Sequence, residues 1–121
     1  MRKANTKVEF GYRFLNLSKK IASDVQKRHL NFSWWDYKNA DKTTNIGFNI
    51  TKDDSLKDII ALSEEKTLLL SKSRGLFVML TCYEDQSGLH FPGYALRVHK
   101  VLGGDIDISI VFSDKKYAIS H

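Results

Sequence analysis

Four histidines, a single cysteine and a scatter of carboxylates are the side chains of this 121-residue chain that could do chemistry, and their spacing assigns them none. His29, His90, His99 and His121 include no i,i+4 helical pair, and Cys82 has no second thiol to join it, so no zinc site is predicted. His99 falls on the polar side of a helical pattern beside Lys100, and His90 stands at a turn just before Pro92. A His29–His90 pair for RNA cleavage finds no support in the spacing. Asp105 and Asp107 share the outward face of an alternating segment; a paired-carboxylate site is conceivable there, but two solvated carboxylates are the simpler reading. Gly103-Gly104-Asp105 follows a helical pattern instead of opening one, which makes it a helix stop and not a phosphate cradle. Neither Gly88, Gly93 nor any serine has the surroundings of a nucleophile elbow. Cys82, inside an apolar run, is expected to be inert packing. The chain thus predicts no catalytic residue, no metal ligand and no cofactor.

The residues best suited to recognition are Trp34-Trp35-Asp36-Tyr37-Lys38. Neighbours in a strand point to opposite faces, so one tryptophan can be core while the other is exposed; both indoles buried on two packed faces is the alternative. An exposed Trp or Tyr ringed by lysine makes a protein-binding hot spot, and the same composition can stack single-stranded bases. Lys19, Lys20, Lys27 and Arg28, on a helical segment at 18–29, extend this into a basic surface or simply form a solvated face. The net charge is +5, and residues 1–60 carry 12 Lys and Arg against 7 Asp and Glu, while residues 61–121 carry 7 against 7. A basic half points to an acidic partner, either a protein surface or nucleic acid.

The elements that must position these residues are legible from periodicity. Residues 8–15 alternate as a strand with one solvated face. Ser18 caps a helix whose buried side carries Leu17, Ile21, Ala22 and Val25, with Lys20–Asp24 and Asp24–Arg28 spaced for i,i+4 pairing outside. Residues 32–37 and 45–50 read as a hairpin around the turn 39–42, with Asn45, Gly47 and Asn49 making one face of the returning strand polar. Ser55 opens a helix, with Asp58 completing a weak capping box, and helical structure over 55–73 is either one bent helix or two short ones. Residues 76–83 are almost continuously apolar and fit a strand covered on both faces. Phe91, Tyr94, Ala95, Val98, Val101 and Leu102 form one helical stripe, with Pro92 in its first turn and Gly103 just past its end. Ile106, Ile108, Ile110 and Phe112 then alternate with Asp105, Asp107 and Ser109, a strand with one face in the core. A turn at 113–116 and a short edge strand at 117–119 close the sequence.

These elements predict one α+β domain over residues 1–121: a mostly antiparallel sheet of about five strands, two or three helices packed mainly on one face, and residues 1–7 flexible. No apolar run reaches the roughly 18–20 residues needed to span a bilayer, and the basic start is not followed by an apolar signal core, so a cytoplasmic protein without membrane contact is expected.

The segment Gly75–Tyr83, the 91–102 helix and Leu102-Gly103-Gly104-Asp105-Ile106-Asp107-Ile108 together resemble a family of small bacterial domains of uncharacterised function that end in a comparable helix, turn and strand. In type, the chain is similar to immunity proteins of bacterial toxin–immunity systems, including those of contact-dependent growth inhibition. That likeness implies a non-enzymatic protein that binds and blocks a cognate protein toxin. Trp34, Trp35 and Tyr37 would be its aromatic anchors, with Lys38 beside them in the partner-binding surface, and Lys19, Lys20, Lys27 and Arg28 its steering charges. A basic chain of this type calls for an acidic surface on the toxin, or for contact through its neutral second half. The competing expectation is a small RNA- or DNA-binding domain using the same aromatic and basic residues.

Overall fold

The computed structural model describes residues 6–69, 73–82 and 91–112. They form β1 (Thr6–Leu17), α1 (Lys19–Arg28), β2 (Trp34–Lys38), β3 (Thr44–Asn49), α2 (Leu56–Ser63), α3 (Lys66–Leu69), β4 (Arg74–Cys82), α4 (Gly93–Leu102) and β5 (Asp105–Phe112). The strands make one sheet in the order β2-β3-β1-β4-β5, antiparallel except for the parallel pair β4–β5, which α4 connects. This is the expected α+β domain with five strands. Residues 83–90 and 113–121 lie outside the described set, and with them the expected edge strand at 117–119, His90 and His121.

β1 is the middle strand, paired to β3 on one side and β4 on the other. Pairing begins at Thr6↔Cys82 and Lys7↔Thr81, so the expected flexible start at residues 1–7 does not include these two. Strand alternation sends Phe10, Tyr12 and Phe14 to one face, joined there by Ile46 and Phe48 of β3 and by Leu76 and Val78 of β4, all buried. The helices cover this face. Ala22 and Val25 of α1, Ile59 and Leu62 of α2, and Ala95, Val98 and Leu102 of α4 complete a single core. The Ser18 hydroxyl accepts the Ile21 N–H at 3.2 Å and starts α1 as its sequence predicts. Between 55 and 69 there are two helices, not one. The Ser63 hydroxyl donates to the Ile60 carbonyl at 2.6 Å at the end of α2, and the Glu65 side chain is drawn to α1. Asp58 does not close the expected capping box; it accepts from Asn31 instead.

Two expectations change. Among the described residues, helices cover only one face of β4; on the other, Phe77 is half-buried and Met79 is exposed. β5 is an edge strand whose isoleucine face is not core: Ile106, Ile108 and Ile110 are 45%, 47% and 55% exposed. Both errors share a cause. Apolar residues alone do not say whether a second layer exists to cover them. Among the described residues no helix is long and apolar enough to cross a membrane.

One buried polar group ties the layers together. The Tyr12 hydroxyl, in the fully buried middle of β1, donates to the Gly103 carbonyl at 2.6 Å, at the end of α4. Gly103 and Gly104 have φ of 73° and 86°, the left-handed region that glycine enters without strain. Burial pushes the Tyr12 phenol up from 10.0 to about 12, against the opposing influence of nearby Arg74. The unfolded chain therefore ionises first, and this contribution to stability is full below about pH 10 and lost as pH rises through about 12. Tyr12→Phe is expected to lower unfolding free energy by about 1–2 kcal/mol by stranding the Gly103 carbonyl. The same change should flatten the alkaline limb of stability; denaturant melts across that range measure both.

Candidate binding face

The sheet has a second face that no described helix covers. It carries Lys7, Glu9, Gly11, Arg13 and Leu15 from β1, Asn45, Gly47 and Asn49 from β3, Trp35 and Tyr37 from β2, Gly75, Phe77, Met79 and Thr81 from β4, and Asp105, Asp107 and Ser109 from β5. At its centre the register sets Arg13 between Gly47 and Gly75, and Gly11 beside Phe77. Glycine inside a strand leaves a hollow, and here aromatic rings lie in two of them. A Cβ on Gly47 would come within 2.3 Å of the Trp35 ring, and one on Gly11 within 2.3 Å of the Phe77 ring. Laid over the sheet in this way, the two rings meet edge to face with centroids 6.1 Å apart. The Arg13 guanidinium stands 5.4 Å from the Phe77 ring centre and 3.2 Å from an Asp107 carboxylate oxygen. An interlocked Trp–Phe–Arg–Asp cluster thus spans β2, β4, β1 and β5. Beside it Tyr37 is 64% exposed.

The end of the β2–β3 hairpin next to Tyr37 is held by side-chain amides. Asn45 Oδ1 accepts from the Asn16 N–H at 2.9 Å and from Asn39 Nδ2 at 2.8 Å, and Thr43 N–H donates to Asp41 at 3.0 Å. Asn16, with φ 61°, marks the irregularity between Phe14 and Leu17 where the β1–β3 register shifts. These bonds fix where the hairpin sits against β1, and hence where Trp35 and Tyr37 point.

The residues singled out in the sequence divide between the two sides of the sheet. Trp35 and Tyr37 stand on the open face. Trp34 stands on the helix side, half-buried against Phe32 and Phe48, its indole N–H donating to the His29 carbonyl at 2.8 Å. The two indoles point to opposite faces, as alternation requires, and both are half-buried, so neither a fully exposed ring nor two fully buried ones is found. Lys38, opposite Thr44, alternates to the helix side, where Lys19, Lys20, Lys27 and Arg28 of α1 also lie. The aromatic and basic surfaces are therefore separate. Lys20 pairs with Asp24 as its spacing predicts, at 3.1 Å. Arg28 pairs instead with Glu65, through Nε at 2.9 Å and a second nitrogen at 2.8 Å, and the His29 ring joins the same carboxylate. Arg28 thereby ties α1 to the start of α3. His99 bonds the Gly104 carbonyl at 2.8 Å and closes the turn into β5. Asp105 and Asp107 are solvated, with Asp107 held by Arg13. Among the described residues no three His, Cys, Asp or Glu side chains gather as metal ligands.

Arg13, Phe77 and the two glycines beneath the rings were not among the sequence candidates. The signal was present: Gly11 and Gly47 each interrupt the polar face of a strand, where a glycine marks close approach by something else.

The Arg28 bonds, and then the His29 contact, hold the Glu65 carboxyl below the ordinary glutamate range. Its contribution is present above that range and lost as pH falls through the lowered value. Glu65→Gln is expected to reduce stability at neutral pH and to flatten the acid limb, read from melts between pH 7 and about pH 3. For the open face, Gly47→Ala in a Trp34→Phe background should lift the Trp35 ring from the sheet. Its emission should shift to the red and quench more readily with acrylamide, while the fold is retained.

Comparison with protein-family models, with curated proteins and with solved structures finds no match to this chain.

Proposed function

We propose that this chain acts by binding another protein through the open face of its sheet, and most concretely that it is a bacterial immunity protein, working in the cytoplasm, that occludes a cognate toxin without itself performing catalysis. The observation that carries the binding reading is the Trp35–Phe77–Arg13 cluster on a face no described helix covers. Trp, Tyr and Arg are the residue types that dominate binding energy at protein interfaces, especially when packed in place. Ring-on-glycine packing and the Asp107 pair hold these side chains before any partner arrives, so little side-chain freedom is left to lose on binding. The toxin as partner rests on the likeness in type to immunity proteins.

Charge favours a protein over nucleic acid at this face. Its described charged residues are Lys7 and Arg13 against Glu9, Asp105 and Asp107, and Arg13 is already paired. A polyanion needs several unpaired cations along its track. The lysines of α1 lie on the other side of the sheet, where they can steer an acidic partner during approach without touching it in the complex.

The test is co-expression with the product of the adjacent gene, followed by calorimetry on the purified pair. A one-to-one complex is expected. Trp35→Ala and Arg13→Ala should each weaken it by about tenfold or more, while Trp34→Ala lowers thermal stability instead. Binding of single-stranded RNA or DNA without any protein partner, falling steeply with added salt and dependent on Trp35, would replace this reading with the nucleic-acid one.

A further inference from the structure

The open face does not share the charge of the chain that carries it. Its described residues set two cations, Lys7 and Arg13, against three carboxylates, Glu9, Asp105 and Asp107, on a chain of net charge +5. The strand register puts Trp35, Gly47, Arg13, Gly75 and Asp105 in one line across the sheet, and Asn49, Gly11, Phe77 and Asp107 in the next. Trp35 therefore stands at the β2 end and the aspartates at the β5 end, roughly 19 Å apart at the usual strand spacing. Arg13, between them, is already engaged by Asp107 at 3.2 Å and by the Phe77 ring. Lys7 reaches Glu9 only at 4.0 Å, with both side chains well exposed, a pair too weak to mask the carboxylate. Asp105 is exposed and has no hydrogen bond or ion pair among the described residues. We infer, on the binding reading above, that the protein bound on this face meets it with a basic surface. Its arginine and lysine side chains pair with Asp105 and Glu9 and lie against the aromatic rings.

Both features of the face favour the same occupant. Carboxylates attract a guanidinium or ammonium group directly, and aromatic faces attract it through the ring quadrupole. Arg13 already shows the arrangement within the chain, standing 5.4 Å from the Phe77 ring centre while bonded to Asp107. An acidic surface would set its carboxylates against Asp105, Asp107 and Glu9, with Lys7 alone to offset them, and like charges brought together oppose docking. A wholly apolar surface would cover Asp105 without pairing it, which is also unfavourable. The distance from Trp35 to the aspartates exceeds the reach of any single side chain, so several partner residues must act together. The lysines of α1 lie across the sheet from these groups; they bear on a partner's approach and not on the surface that docks.

The test has two arms, both with the full chain. In the complex with the adjacent gene's product, Glu9→Gln combined with Asp105→Asn should weaken binding about tenfold or more and flatten its salt dependence, with circular dichroism unchanged. If the double variant folds poorly, Asp105→Asn alone should weaken binding about threefold. In the second arm, a short peptide of alternating arginine and glycine should shift the Trp35 indole N–H resonance at low salt and leave that of Trp34 in place. A glutamate–glycine peptide of the same length should shift neither, and the double variant should lose most of the arginine effect. A complex that requires Trp35 but is unchanged or tightened by the double variant overturns the basic partner and leaves the binding reading standing. A complex indifferent to Trp35→Ala removes the binding reading, and the basic partner with it. If no complex forms, the peptides decide: a Trp35 response to glutamate, to neither peptide, or to arginine undiminished in the double variant overturns the inference.

Discussion

Everything in this fold depends on β1 being paired along both of its edges. A strand in that position cannot turn over, so its alternation decides both faces at once. Phe10, Tyr12 and Phe14 commit one face to the core, and Glu9, Gly11 and Arg13 are thereby committed to the other. The Tyr12–Gly103 bond then anchors the end of α4 over the middle of the sheet, which places the parallel strand β5 beside β4. Since α1, α2 and α4 all pack on the aromatic side, the helix layer leaves the Arg13 side open.

The open side is built differently from the core. Glycines at positions 11 and 47 lower the sheet surface, and Trp35 and Phe77 lie across the depressions instead of standing upright. The rings shield backbone that side chains would otherwise cover, and each keeps part of its surface in contact with solvent. Arg13 links the aromatic pair to Asp107 on the far strand, so the cluster crosses most of the sheet. Two aromatic rings and a guanidinium neutralised by Asp107 are thus held in place on this face.

Much of this was legible in the sequence. The cap at Ser18, the stripe ending at Leu102, the glycine stop and the alternation of β1 and β3 are local signals, and local structure obeys them. The division of Trp34 from Trp35 also follows from alternation alone. What could not be read was which apolar faces acquire a covering layer. Phe77, Met79 and the isoleucines of β5 have the composition of core residues but lie where no described helix reaches. Nor does spacing along the chain reveal that Arg28 would find Glu65, 37 residues on, instead of Asp24 one turn before it. The candidate site was half legible for the same reason: Trp35 and Tyr37 are neighbours in sequence, whereas Arg13, Phe77 and Asp107 join them only through strand order.

We propose that recognition belongs to the face bearing Trp35 and not to the helix side bearing α1. The most direct measurement is nuclear magnetic resonance of the two indole N–H groups during titration with the partner protein. The Trp35 indole and the Arg13 guanidinium signals should shift or broaden, while the Trp34 indole, bonded to the His29 carbonyl, stays in place. Perturbation of Trp34 and the α1 lysines with Trp35 unmoved would contradict it.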